Sequence, residues 1–261
     1  MNTPILKTQE LSIGYPLKKG HYKIVQQQLN IELKPGTLTS LLGINGIGKS
    51  TLLRTLSANQ QIISGKIQLL GEELHTYSNS KLATIISIVL TEKIPVSELT
   101  VRELIQIGRT PYLNHYSTLT DKDYTLVNRA IELTDIQELV DRNMSQLSDG
   151  QLQRVLIARA IAQDTPIIIL DEPTNHLDLH HKVALFKLLR KLAHEEQKAI
   201  LFSCHDMDLA IAFSDDIIVL KKDSNIQGKT DTLIEQGVFD NFFEDENLSF
   251  DRTQKRFILA E

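Results

Sequence analysis

Apolar and polar positions divide the chain into three stretches with different periods. In residues 1–75 the pattern is mostly that of strands. Leu11-Ser-Ile-Gly-Tyr15 predicts a short strand ended by Gly14 and Pro16, and residues 28–33 alternate Leu29, Ile31 and Leu33 with polar positions, as a half-buried edge strand does. A turn at Lys34-Pro35-Gly36 leads into an apolar run over 38–42, a helix-like run over 51–57 and another alternating strand over 65–71. This predicts antiparallel β structure around one βα unit. Residues 85–90 are apolar almost without a break, which predicts a strand buried on both faces.

From about residue 93 to 146 the period becomes helical. Thr100-Val-Arg-Glu103 and Thr120-Asp-Lys-Asp123 have capping-box spacing ahead of periodic runs. Ser148 and Gln151 have it too, and open the most amphipathic helix, through Leu152, Val155, Leu156, Arg159 and Ala160. The last stretch alternates: a buried strand over 167–170, a long helix over 180–196, a strand over 198–203, a short helix over 207–214 and a strand over 216–220. An acidic tail, 230–245, is predicted helical and carries no motif. The whole is an α/β chain with a helical insertion.

Composition narrows this little. The 261 residues, 41% hydrophobic, suffice for one large core, with or without a subdomain. A net charge of −5 without a Lys/Arg run argues against a nucleic-acid surface. The first ten residues hold no apolar signal region, and no window approaches a membrane span, so a soluble chain is expected. A single cysteine, Cys204, rules out an internal disulfide or thiolate cluster and fits a reducing, cytosolic setting.

Two motifs carry chemistry. Gly43-Ile-Asn45-Gly46-Ile-Gly48-Lys49-Ser50 reads G-x-x-x-x-G-K-S between a strand and a helix, the context of a phosphate-binding loop. Its glycines let successive N–H groups turn inward, and the helix N-terminus adds positive potential. Lys49 is expected on the β- and γ-phosphates, Ser50 on Mg²⁺, and Thr51 in the same turn. Ile167-Ile-Ile-Leu-Asp171-Glu172 places two carboxylates at the carboxyl end of a buried strand, where α/β sheets hold ligands. There Asp171 is expected to hold Mg²⁺, directly or through water, and Glu172 to act as general base.

Leu147-Ser-Asp-Gly-Gln151, Ile169-Leu-Asp-Glu-Pro-Thr174, Asn175-His-Leu-Asp178 and Ser203-Cys-His205 resemble the motif set of ABC-transporter ATPases, in its order and over nearly the whole chain to Leu220. The resemblance implies a P-loop NTPase (RecA-like) α/β core with an antiparallel β subdomain and an inserted α-helical subdomain. The core and β subdomain would be residues 1–92 and 156–261, and the helical subdomain, with the signature motif, 93–155. It implies ATP and Mg²⁺ as ligands, and a homodimer in which Ser148, Gly150 and Gln151 bind the ATP held by the other subunit's P-loop. Asp178 would act across that interface, His205 would orient water and the γ-phosphate, and Tyr15 would stack on adenine. Integral-membrane permease subunits would dock on the helical subdomain, which places the chain on the cytoplasmic face of the membrane.

Two positions depart from the family pattern. Asp149 stands where the signature has glycine; a carboxylate in a helix's first turn suits the dipole but repels phosphate, so an outward-pointing side chain is expected. Glu92 stands where a glutamine is usual, an acceptor-only group expected to keep a metal-sensing role. Leu99-Thr-Val-Arg-Glu-Leu104, Gly108-Arg-Thr-Pro-Tyr112 and Asp141-Arg142 resemble importers of iron–siderophore, haem and cobalamin type. The alternatives are a soluble, non-transport ABC ATPase with the same nucleotide residues, and a P-loop switch or kinase, which has no use for residues 147–151.

Overall fold

The structure is a computed structural model that describes residues 3–91, 98–113, 118–240, 242 and 248–259. One sheet is built from β1 (Leu6–Pro16), β2 (Tyr22–Leu29), β3 (Glu32–Leu33), β5 (Ser64–Leu69) and β6 (Glu72–Glu73), in the order β2-β1-β5-β6 with β3 also on β1. All its pairings are antiparallel.

The second sheet holds β4 (Thr37–Leu42), β7 (Ile86–Val89), β8 (Ile167–Leu170), β9 (Ala199–Ser203), β10 (Asp216–Lys221) and β11 (Ser224–Lys229), in the order β11-β10-β4-β9-β8-β7. From β10 to β7 it is parallel; β11 closes one edge antiparallel. The apolar runs are continuous because alternate residues enter different cores. Ile167 and Ile169 join α1 (Lys49–Leu56) and the antiparallel sheet, while Ile168 and Leu170 face the helices on the other side.

Those helices are α3 (Val101–Ile107), α4 (Asp121–Leu133), α5 (Asp149–Ala162), α6 (Leu179–Glu196), α7 (Met207–Phe213) and α8 (Thr230–Glu235); α2 (Asn79–Leu82) is a single turn before β7. Capping boxes form at Thr100, Thr120 and Ser148, each satisfying two backbone groups at a helix start.

Several expectations change. Gly14 does not end the first strand; it lies within β1, where a Cβ would stand 2.0 Å from the Lys23 carbonyl oxygen, so the residue permits close strand pairing. The strand expected over 28–33 is two strands. Gln28 takes a left-handed φ of 56°, and the chain passes from β2 to β3 while Leu29, Ile31 and Leu33 stay buried. Helix α5 does not bury one stripe. Seven residues between Val155 and Ala162 are buried, since it lies between α3 and α4 and also meets β7. The acidic tail is helical only through Glu235; the chain turns at Gly237, with φ 72°, and later forms a hairpin of β12 (Leu248–Asp251) and β13 (Arg256–Leu259).

Candidate nucleotide site

Strand β4 lies between β9 and β10, and its carboxyl end delivers the turn over residues 43–48 into α1. Gly46 and Gly48 have φ of 77° and 113°, values that L side chains rarely adopt. A Cβ at Gly48 would also meet the Val25 Cγ1 at 2.6 Å. Gln26, buried in β2, donates to the Ile47 carbonyl at 2.9 Å and props the turn from behind.

The first amides of α1, at Lys49, Ser50 and Thr51, lack intrahelical acceptors by the geometry of a helix start. Lys49 is buried and its Nζ donates to the Gly43 carbonyl at 2.8 Å and that of Ile44 at 3.4 Å. Burial lowers its pKa, while Glu172 and Asp171 pull it back up. The ammonium thus stands folded over the turn, within the field of both carboxylates.

A cleft of about 610 Å³ opens above this turn, lined among others by Tyr15, Asn45, Gly46, Gly48, Lys49, Ser50, Thr51, Glu172 and His205. Tyr15 stands at its rim, half exposed, with its hydroxyl 2.9 Å from the Thr51 Oγ1. The sequence therefore assigned nine residues to one place that the fold does bring together. Gly43 lies just beneath, joined to the cleft through Lys49.

Two strands over, β8 delivers the carboxylates. Asp171 is buried; its Oδ1 accepts from Ser203 Oγ at 2.7 Å and its Oδ2 from Thr91 Oγ1 at 3.2 Å. Glu172 turns sharply, with φ 48°, and its amide donates to the same Ser203 hydroxyl at 2.8 Å. Its carboxylate accepts from the Asn175 amide at 2.6 Å and meets His205 Nε2 at 2.5 Å. Ser203, Asn175, Thr91 and Gln26 are the supports that sequence reading missed. Asn175 and Ser203 both lie in motifs already singled out, but a serine ending an apolar strand does not by itself show which carboxylate it holds. Cys204 is buried and its thiol pKa is raised by that burial.

The third group lies apart from this cleft. Ser148 caps α5, accepting from the Gln151 amide at 3.3 Å while its own amide donates to Gln151 Oε1 at 3.0 Å. Gly150 faces the segment after Asn175 so closely that a Cβ would stand 2.8 Å from the His176 carbonyl oxygen. Asp178 caps α6 through the His181 amide at 2.9 Å and the His181 Nδ1 at 2.8 Å; these bonds hold its carboxyl below the usual range. Asp149 is exposed and lines the same cleft as its neighbours Ser148 and Gly150. Ser148, Gly150, Gln151 and Asp178 line a second cleft of about 550 Å³, and none of them lines the first. Glu92 lies outside the described residues.

A glycine turn at the end of a central parallel strand, with a buried aspartate and a cleft-facing glutamate at the end of a strand two places away, defines a P-loop nucleotide hydrolase. Comparison with known proteins is more specific. Residues 26–175 match the family described as ABC transporter. The iron(3+)-hydroxamate import ATP-binding protein of Bacillus subtilis is 38% identical over 86% of this chain and 82% of its own length. The petrobactin import ATP-binding protein of the same organism is 36% identical over 85% of this chain and 88% of its own.

Among solved structures, an inward-facing conformation of a metal-chelate type ABC transporter superposes with a TM-score of 0.76 at 27% identity, covering 98% of this chain and 96% of that one. A dimeric ATP-binding cassette in a post-hydrolysis state with ADP and Pi gives 0.75 at 25% identity, covering 86% of this chain and 98% of that one. The chain belongs to the ABC transporter ATP-binding family and is an ATPase of that type. Among the described residues no helix is long and apolar enough to cross a membrane.

Proposed function

We propose that this chain is the ATP-hydrolysing subunit of an ABC importer whose cargo is an iron–siderophore or a related metal chelate such as haem or cobalamin. The observation that carries hydrolysis is Glu172, held by Asn175 and His205 in the cleft that also contains Lys49 and the glycine turn. The cargo class is supported by the names of the relatives, and the importer type by residues 99–104 and 108–112.

Phosphates sit on the amides of Gly46, Gly48, Ser50 and Thr51 beside Asn45, and Lys49 exchanges its carbonyl partners for β- and γ-phosphate oxygens. Tyr15, at the rim, stacks on adenine. Glu172 takes a proton from the attacking water, and His205 exchanges its bond to Glu172 for one to the γ-phosphate, freeing a carboxylate oxygen for that proton. Ser50 and Asp171 suit Mg²⁺, and Glu92 follows in the chain directly after Thr91, which donates to Asp171. Asp171 keeps spare lone pairs after its two hydroxyl bonds, and no group of three or more His, Cys, Asp or Glu placed to hold a metal ion lies among the described residues. That fits a cation which draws its remaining ligands from phosphate and water. Bound there, Mg²⁺ supplies positive charge to the phosphate oxygens.

Because Ser148, Gly150 and Gln151 line a different cleft from Lys49, one chain carries two half-sites. A second copy completes each, with Asp178 at the junction. ATP closes the homodimer and hydrolysis releases it, moving permease subunits docked on the helical subdomain, residues 93–155, at the cytoplasmic face of the membrane.

Phosphate release and ATP-dependent dimerisation test the site. Lys49→Ala is expected to lose ATP binding, and Glu172→Gln to bind ATP and accumulate as dimer without turnover. Wild-type turnover by Glu172→Gln would refute the general-base assignment. Uptake of labelled ferric chelates by cells lacking this chain tests the cargo; unchanged uptake of siderophore, haem and cobalamin refutes it.

A further inference from the structure

Asp149 places a carboxylate in the first turn of α5, one residue beyond Ser148, at the helix end assigned above to the other subunit's γ-phosphate. Phosphate and carboxylate repel there, and the helix dipole attracts both. Something must answer the charge. The other ionisable side chains lining this cleft are Arg154 on α5, His181 on α6, Asp178 at its cap, and His176 before it. Arg154 donates to the Asp135 carbonyl at 2.8 Å, and His181 is bonded to Asp178 at 2.8 Å. The His176 Nδ1 lies 3.9 Å from Asp149 Oδ2, within ion-pair distance when the ring is protonated.

The backbone sets this pairing. His176 has a left-handed φ of 62°, and its carbonyl packs where a Cβ on Gly150 would fall 2.8 Å away. The Leu177 amide closes the turn onto the Thr174 carbonyl at 3.3 Å. The imidazole is therefore carried to the side of Asp149 by the segment that follows Glu172, and the two elements cannot slide apart without losing that packing.

We propose that His176 is a positioning residue for Asp149, setting an imidazole beside the carboxylate so that this helix end can accept a phosphate from a second copy of the chain. The inference rests on the proposed dimeric ATPase. It predicts a coupling: His176 matters for phosphate only while Asp149 is present.

Steady-state ATPase kinetics are measured for wild type, His176→Asn, Asp149→Gly and the double variant. Asparagine, like histidine, tolerates the left-handed backbone but carries no charge. In the wild-type background His176→Asn should raise the KM for ATP about fivefold, equivalent to about 1 kcal/mol, and the same change in the Asp149→Gly background should leave KM within about 1.5-fold, a cycle that isolates the pair. His176→Lys, which places a cation beside Asp149, should recover most of the lost affinity. Equal effects of His176→Asn in both backgrounds, no effect in either, or no recovery with lysine would each overturn the pairing. Absence of ATPase activity in the wild-type chain with its partners would instead overturn the function proposed above.

Discussion

Ser203→Ala tests how the hydrolytic site is held. The Ser203 hydroxyl is fully buried at the end of β9, donates to Asp171 at 2.7 Å and accepts from the Glu172 amide at 2.8 Å. Alanine removes a hydrogen bond to a carboxylate, worth ~1.5–3 kcal/mol, and leaves a part-buried amide unpaired, at up to ~1–3 kcal/mol. Asp171 keeps Thr91 as a donor, and adjacent losses do not add fully, so a destabilisation of about 2–3 kcal/mol is expected.

The catalytic consequence is separate. Glu172 sits at φ 48°, a conformation costing about 1–3 kcal/mol that its surroundings must impose, and Ser203 is its backbone anchor. With that anchor gone the carboxylate shifts relative to the glycine turn, and misplacement by about 1 Å can cost ~100-fold. A fall in kcat of about tenfold or more is expected, with the KM for ATP little changed, because no phosphate-binding group of the turn touches Ser203. Urea unfolding gives the first quantity and phosphate release the second. Ser40→Ala is the control. Its hydroxyl is equally buried on the adjoining β4 but has no hydrogen-bond partner among the described residues, so its loss should change stability by less than ~0.5 kcal/mol. If Ser203→Ala matched Ser40→Ala in both stability and kcat, the anchoring role would be refuted.

Two further predictions concern packing and charge. Burial pushes the Asp123 carboxyl up, but bonds from Thr120 and Arg109 outweigh it and bring the pKa down to about 2, below the ordinary 3.8. This stabilisation is complete above about pH 4 and is lost as pH falls through about 2; the slope, up to about 1.4 kcal/mol per pH unit, should disappear in Asp123→Asn when acid unfolding is followed by circular dichroism. An unchanged acid slope would exclude Asp123 as its source. Gly150→Ala forces a methyl group to 2.8 Å from the His176 carbonyl oxygen and should cost ~1–3 kcal/mol of stability in urea; a change below ~0.5 kcal/mol would mean that α5 and the segment after Glu172 are not packed this tightly.

Much of the chemistry was legible because it is local. The glycine turn, the pair Asp171-Glu172 and the capping boxes at Thr100, Thr120 and Ser148 each depend on residues within a few positions of one another. Polar strands were harder. The edge strand β11, Ser-Asn-Ile-Gln-Gly-Lys, shows no clear alternation, and its inner residues are only half buried. Strand β2, with Tyr22, Lys23 and Ile24 exposed, gave no periodic signal over its first half, yet it carries Gln26 against the glycine turn. Gly14 was read as punctuation because a glycine that ends a strand and one that admits a neighbouring backbone look alike in sequence.

By itself, then, the sequence determined which segments are apolar on one side or both, where helices begin, and that a phosphate-binding turn is followed far along the chain by two strand-end carboxylates. Tertiary structure decided the neighbours. Runs such as those of β7, β8 and β9 are nearly interchangeable in pattern, so their order is chosen by packing between two cores. That order sets Ser203 beside Asp171 and His205 beside Glu172, while β2 of the antiparallel sheet sets Gln26 behind Ile47 and helix packing sets His176 beside Asp149. Each pair joins residues more than twenty positions apart, and a contact across that distance exists only once the intervening chain has folded.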